Sequence, residues 1–181
     1  YVMPLLDAWT NTFESLGSRT TGQGAQKYLL VNQHWQGEKV EGFTTIKSPT
    51  NMVWITGRIQ VDSKEDALEA AVLQKQYKLM TYEQLTTGID PFEGYDPDYA
   101  AWQVRKPVPY SLDMSAEDYY NEFFDSWPAN PPLKSDKSIL KVFKKVGIDY
   151  RTRKPLEDLD EQVVHQLTVA QRRKQTEYLA A

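Results

Sequence analysis

The sequence predicts an α+β chain in which a β-sandwich-like module is followed by a small helical module. Short runs rich in β-forming residues, separated by turn clusters, fill the chain up to about residue 106. Pro107-Val108-Pro109 then marks a change, and helical spacing of apolar residues runs from there to the C-terminus. We therefore predict a β-sandwich domain over residues 1–110 and a helical module over residues 111–181.

Two segments are the clearest predicted strands. Residues 27–31 form a short run of β-forming residues between Gly24 and Asn32. Residues 51–61 alternate in polarity, with apolar side chains on one parity and Arg58 on the polar parity. One helix follows, because Ser63 with Asp66 resembles a capping box. Its expected buried stripe is Leu68, Ala71, Val72 and Leu79.

The helical module has recognisable starts and stops. Ser115 with Asp118 predicts a helix start, and Pro128 ends that segment. Asp136 is the expected cap of the next helix, and Gly147 supplies a left-handed C-terminal residue there. The last helix is predicted to begin near Pro155. The expected apolar faces are Tyr119, Phe123 and Trp127, then Ile139, Leu140, Val142, Phe143 and Val146, then Leu159, Val163, Leu167 and Ala170.

Composition excludes several function classes. The 181 residues contain no cysteine, which removes disulfides, thiol nucleophiles and cysteine-ligated zinc. A net charge of −4 and a pI near 5.3 argue against a nucleic-acid partner. The mean hydropathy is −0.61, and no apolar run has the length of a membrane span.

The segment Gly17–Gly24 is the sharpest candidate site. Its glycines allow successive backbone N–H groups to point into one concavity, which is the geometry of an anion nest. Arg19 could add a guanidinium fork, and Thr20 and Thr21 could add hydroxyl donors. The segment lacks the Lys-Ser/Thr that follows a phosphate-binding P-loop. The alternative is a long β-connection in which Arg19 pairs with a carboxylate such as Asp7.

Asp7–Asn11 and Arg58 are the other candidates. A carboxylate, an indole N–H and the Asn11 amide directly after a strand could line the mouth of a pocket. The alternative is a turn, because Asp, Thr and Asn turn the chain through local side-chain bonds. Arg58 is either a solvated or ion-paired residue or a second cationic contact for a ligand.

No catalytic constellation is recognisable in the sequence. His34 and His165 are the two histidines, and there is no Gly-x-Ser-x-Gly elbow and no paired metal-binding histidine spacing. The acidic loop of Asp90, Glu93, Asp96 and Asp98 lacks the spacing of an EF-hand. We therefore predict no catalytic residue, no metal and no cofactor.

Several ordered blocks resemble domain of unknown function 1254. They are Met3–Phe13, Gly17–Gly22, Tyr28–Val31, Ser48–Asn51, Val53–Arg58 and Gln74–Leu79. Residues 116–181 are similar to the helical linker that follows this domain. The resemblance implies an immunoglobulin-like antiparallel β-sandwich, incomplete here before Tyr1, and no established reaction. It also implies a missing C-terminal jelly-roll domain as a partner.

These observations favour a piece of a longer protein. The chain opens on an expected strand and ends within an expected helix, so a leader for secretion or for the periplasm would have been lost. We expect a binding or assembly module of a two-domain homo-oligomer, with an anionic or sugar-like ligand at Arg19, Thr20, Thr21 and Arg58. One alternative is a hydrolase-like enzyme completed by the missing domain, with Asp7 and Asn11 contributing. The other is a structural scaffold with buried, ion-paired arginines.

Overall fold

The computed structural model describes residues 1–89, 107–152 and 154–179. These residues belong to two compact units, and each is described by itself. The larger unit contains residues 2–56 and 107–181, and the smaller contains residue 1 and residues 57–106. Strands and helices of the larger unit are thus grouped together. The proposed boundary near residue 110 stays a prediction.

The described chain is a mixed α+β structure. Its strands are β1 (Val2–Asp7), β2 (Thr12–Gly17), β3 (Tyr28–Asn32), β4 (Thr44–Ser48) and β5 (Val53–Ile55). Its helices are α1 (Lys64–Gln74), α2 (Tyr82–Thr87), α3 (Pro107–Asp113), α4 (Ala116–Ser126), α5 (Lys137–Lys145) and α6 (Glu161–Leu179). Short 3-10 turns occupy Trp127–Ala129, Lys134–Asp136 and Leu156–Asp158. The α+β class predicted from the sequence is confirmed.

Two small sheets form the strand part of the larger unit. One is antiparallel with the order β2-β1-β5, and the other is the parallel pair β3-β4. A cluster of Leu5 and Leu16 from the first sheet and Ile46 from the second is buried between them. The immunoglobulin-like topology stays a prediction.

The long strand predicted over residues 51–61 is wrong in its extent. Only Val53–Ile55 forms a continuous strand paired with β1; beyond it the Thr56 N–H donates to the Pro4 carbonyl at 3.3 Å, and Arg58 forms an isolated β-bridge. β1 continues from Leu5, the partner of Ile55, back to Val2, so neither the alternation nor the length of β1 fixes where the continuous strand ends. Arg58 therefore lies outside this strand and in the smaller unit.

The capping predictions at Ser63, Ser115 and Gly147 are confirmed. The Ser63 and Ser115 hydroxyls accept bonds from the N–H groups of Asp66 and Asp118 at the starts of α1 and α4. Gly147 ends α5 with a φ of 85°, and the Ile148 N–H donates to the Phe143 carbonyl at 3.0 Å. That pair of features is a Schellman motif.

Asp136 occupies the N-cap position of α5 but makes a different bond from the one expected. Its carboxylate accepts from the Leu133 N–H at 3.0 Å and makes no side-chain cap bond to α5. The 3-10 turn over residues 134–136 brings Leu133 within reach of this side chain.

A second apolar cluster joins the helices of the larger unit. Phe124 and Trp127 are buried with Ile148, Leu156 and Leu159. The half-buried side chains packed around them include those of Trp9, Tyr120, Phe123, Leu140, Phe143, Val163 and Leu167. Most of the predicted apolar faces thus contribute to one core.

Some predicted stripe residues are exposed instead. In the larger unit these are Tyr119, Ile139, Val142, Val146 and Ala170, and in the smaller unit Leu68, Ala71, Val72 and Leu79. In α1 the buried residue is Ala70. Helical spacing shows which face of a helix is suited to burial. How many residues of that face are buried depends on the elements packed against it.

Candidate functional site

Asp7 closes a tight turn with its side chain. It is 3% exposed, and its Oδ1 accepts from the backbone N–H groups of Trp9 and Asn11, each at 2.9 Å. The Asn11 side-chain amide lies 3.2 Å from both carboxylate oxygens. Thr10 adopts a left-handed φ of 65° within this turn. Asp7 and Asn11 thus lie together in one turn, with their polar atoms bonded to one another.

The Gly17 carbonyl organises the candidate loop. It accepts from the backbone N–H groups of Thr20 at 3.0 Å, Thr21 at 2.8 Å and Gly22 at 3.2 Å. Three donors of the expected anion nest are therefore directed at a carbonyl of the chain itself. They are bonded within the loop and are not offered to a ligand.

The two threonine hydroxyls also serve the loop. Thr20 Oγ1 donates to the Ser15 carbonyl at 2.6 Å, while Thr21 Oγ1 accepts from the Gly17 N–H at 3.0 Å. Both ends of this corner are therefore held by side chains as well as by the backbone. Thr20 and Thr21 shape the loop that carries Arg19.

Arg19 is the loop residue that faces solvent with a charged side chain. It is exposed and makes no hydrogen bond or ion pair with the parts of the chain that the structure describes. The sequence alternative in which Arg19 pairs with Asp7 is wrong, since Asp7 is buried in its own turn. A guanidinium on a bonded loop is a preformed partner for an anion, because its donors form a planar fork.

Arg58 is exposed in the smaller unit, whereas Arg19 lies in the larger unit. Neither has the buried, ion-paired environment that the scaffold alternative expected among the described residues.

Thr50 was not singled out from the sequence, although it is buried beside the Asp7 turn. Thr50 is 2% exposed, and its Oγ1 accepts from the Ala8 N–H at 3.0 Å and donates to the Met52 carbonyl at 2.7 Å. Ser48 Oγ in turn donates to the Thr50 carbonyl at 2.6 Å. The sequence Ser48-Pro49-Thr50 could have indicated this role, because Ser and Thr side chains often bond to nearby backbone groups.

Asn130 begins the Asn-Pro-Pro segment between α4 and α5 and is buried. It is 5% exposed, its Oδ1 accepts from the Met52 N–H at 2.7 Å, and its Nδ2 donates to the Ser126 carbonyl at 2.7 Å. Nearby, Trp9 Nε1 donates to the Pro131 carbonyl at 3.1 Å. These bonds join the strand part and the helical part of the larger unit.

Asp149 forms the strongest electrostatic cluster among the described residues. Arg151 contacts the Asp149 carboxylate at 2.9 Å, and Lys144 lies at 3.3 Å. Hydrogen bonds from Arg151 and then from Lys144 hold the pKa of Asp149 well below its usual range. Burial and the neighbouring Tyr119 raise the pKa of Tyr120, whose hydroxyl donates to the Leu167 carbonyl at 3.1 Å.

An acidic groove of about 600 Å³ lies along α3 and α4. Its lining carries the carboxylates of Asp113, Asp118, Glu122 and Asp125 beside Tyr110 and Met114. A surface of this charge repels anions, so it does not compete with Arg19 for the ligand class expected from the sequence.

Residues 1–89, 107–152 and 154–179 contain no group of three or more His, Asp or Glu side chains placed to hold a metal. His34 and His165 are exposed in separate segments. The acidic loop of Asp90, Glu93, Asp96 and Asp98 lies outside the described residues. Over the ranges searched, no helix combines the length and apolarity required to cross a bilayer.

Comparison with known proteins identifies the N-terminal part of the chain. Residues 1–81 match the family model described as a protein of unknown function, DUF1254. The chain is similar in structure to the VPA0106 protein from Vibrio parahaemolyticus, with a TM-score of 0.63 at 19% sequence identity. The match covers 99% of this chain and 41% of that one, and it supports the fold. No curated protein matches the chain.

Proposed function

We propose that this chain, whose residues 1–81 match the family model of the DUF1254 proteins of unknown function, is a binding and assembly module of a larger protein. The ligand that we propose is a small anionic or polyhydroxyl molecule held at the Gly17–Gly24 loop by Arg19. The chain spans 41% of the length of the VPA0106 chain, so further domains are part of the proposal.

The observation that carries the proposal is the environment of Arg19. Thr20, Thr21 and Gly22 hold the loop closed through the Gly17 carbonyl, while the guanidinium faces solvent without a partner among the described residues. The bonded loop lowers the backbone entropy lost when a ligand binds at Arg19, because the backbone that carries this residue is already ordered.

The predicted affinity is weak. One exposed guanidinium supplies charge-assisted hydrogen bonds that compete with water and salt. We expect a dissociation constant on the order of 1 mM or above for a simple anion at low ionic strength. A longer ligand, or the further domain that we propose, would add contacts around Arg19.

The proposal extends to the architecture. We propose that the two sheets are part of an incomplete immunoglobulin-like sandwich, because Leu5, Leu16 and Ile46 bury a common apolar cluster between them. A C-terminal jelly-roll domain and a homo-oligomer remain the expected partners.

A scaffold role is the second candidate for the remaining predicted site residues. Asp7, Asn11, Thr20 and Thr21 bond mainly to backbone groups of their own turns. We assign them to shaping the loops. The hydrolase-like alternative depended on Asp7 and Asn11, and their mutual bonds at 3.2 Å weaken it.

A titration tests the binding proposal. The ¹⁵N-labelled chain is titrated with inorganic phosphate, sulfate and glucose at constant low ionic strength, and amide shifts are followed at residues 18–24. We expect a saturable response that is lost in Arg19→Ala. Arg58→Ala removes one exposed charge in the other unit and serves as the matched control. Equal responses in wild type and Arg19→Ala would contradict the proposal.

A further inference from the structure

The indole of Trp127 is buried without a partner for its N–H group. Trp127 is 3% exposed, and its Nε1 makes no hydrogen bond within the part of the chain that the structure describes. Trp9, in the same aromatic cluster, bonds its Nε1 to the Pro131 carbonyl at 3.1 Å. The two neighbouring indoles therefore differ in this one respect.

A buried indole N–H without an acceptor, as at Trp127, is unusual in a folded protein. A buried donor without an acceptor loses its hydration and gains nothing in return, and native structures contain few of them. Buried tryptophan N–H groups usually find an acceptor. The ring itself is well held, because it packs edge-on against Phe143 and close to Phe123 and Tyr150. A simple rotation of the indole toward another partner is thus blocked.

A small cavity lies directly beside this ring. It is lined by Phe124, Trp127, Ile148, Asp149, Tyr150 and Lys154. The space open to the centre of a water molecule is about 10 Å³. That volume admits about one water, and it is too small for an organic ligand.

The lining combines apolar walls with a few polar groups. Asp149 and Lys154 line the cavity, and the Asp149 carboxylate is paired with Arg151 and Lys144. A water molecule in such a place would accept from one neighbour and donate to another. Buried waters typically make two to four hydrogen bonds of this kind.

We propose that this cavity is a binding site for one water molecule, which accepts a hydrogen bond from Trp127 Nε1–H and donates to the Asp149 carboxylate. The water connects the end of α4 to the segment that follows the Gly147 turn. It thereby satisfies the unpartnered indole and fixes residues 148–150 against the aromatic cluster.

Water contacts measured by NMR test the site in the intact chain. Trp127→Phe identifies the Trp127 indole signal by its disappearance. We expect this signal to show a water cross-peak with the sign of a long-lived complex, and the Trp9 indole to show none. The absence of that cross-peak at Trp127 overturns the proposal.

An isosteric replacement provides a second readout. Benzothienylalanine at position 127 keeps the shape of the bicyclic ring and removes the N–H group. If a water is bound, the urea midpoint of this analogue stays equal to that of the wild type or falls. A higher midpoint would show that the N–H group is unsatisfied, which also overturns the proposal.

Discussion

Asn130 shows how one side chain can join distant parts of the chain. Its amide connects Met52, at the start of β5, to Ser126, at the end of α4, with both bonds at 2.7 Å. Asn130 is 5% exposed, and both of its bonds are partly buried. Removing the amide leaves the Met52 N–H and the Ser126 carbonyl without this partner, and the loss of such bonds costs about 1–3 kcal/mol.

We therefore expect Asn130→Ala to lower the free energy of unfolding by about 2 kcal/mol. Urea unfolding followed by far-UV circular dichroism measures the change. Gln33→Ala alters an exposed side chain of similar chemistry and should stay within about 0.5 kcal/mol of the wild type. Equal stability of the two variants would contradict the role assigned to Asn130.

The sequence could name the candidate residues but could not divide them by role. Asp7, Thr20, Thr21 and Arg19 are all polar residues in loops, and each type both binds ligands and builds turns. The distinction depends on hydrogen-bond partners: the carboxylate and the hydroxyls are bonded within the chain, while Arg19 is exposed. Those partners are set by the folded backbone.

At the scale of elements, helix ends were predictable because their chemistry is local. Ser63, Ser115 and Gly147 act through groups within a few residues of themselves. Strand ends and buried widths were not predictable in the same way. β5 pairs with β1, which lies about fifty residues earlier in the chain, and local sequence carries no information about that partner.

Gly147 provides a test at this scale. Its φ of 85° lies in the left-handed region, while a Cβ placed there would meet Leu159 Cδ2 at an ordinary 3.5 Å. The cost of Gly147→Ala should therefore come from backbone strain alone, about 1–2 kcal/mol. The measurement is the urea midpoint of the variant.

Gly24→Ala is the matched control for that experiment. Gly24 does not have a left-handed φ, and a Cβ there would meet nothing within 4 Å. We expect its stability to stay close to that of the wild type. A loss equal to that of Gly147→Ala would rule out backbone conformation as the cause.

At the scale of the whole molecule, Trp9 is the most informative contact. This residue follows β1, yet its ring lies 6.2 Å from that of Phe123 and its Nε1 bonds to Pro131. The sequence separation of that hydrogen bond is 122 residues. Periodicity and capping carry no information about a contact between residues this far apart in the chain. The prediction of separate strand and helical modules therefore did not include the contact of Trp9 with the helical part.

The Asp149 cluster predicts how stability changes with pH. Its pKa is lowered in the folded chain, so its contribution is present above the unfolded-state pKa near 3.8 and is lost as the pH falls below that value. Arg151 is 61% exposed, so solvent limits the contribution to about 1 kcal/mol.

Asp149→Asn should therefore be less stable than the wild type by about 1 kcal/mol at pH 7. The difference should shrink as the pH is lowered from 4 toward 2, because the wild-type carboxylate then becomes protonated as well. Urea unfolding of both proteins across this range checks the sign. A difference that grows in acid would contradict the assignment.

The central claim is that Thr21 builds the Gly17–Gly24 loop whereas Arg19 binds through it. A phosphate titration of the wild type, Arg19→Ala and Thr21→Val tests this most directly. The urea midpoint of each protein is measured alongside. Arg19→Ala should lose the phosphate response and keep its stability within about 0.5 kcal/mol. Thr21→Val should lose about 1 kcal/mol of stability, because the Gly17 N–H loses its acceptor. An undiminished phosphate response in Arg19→Ala would contradict the account.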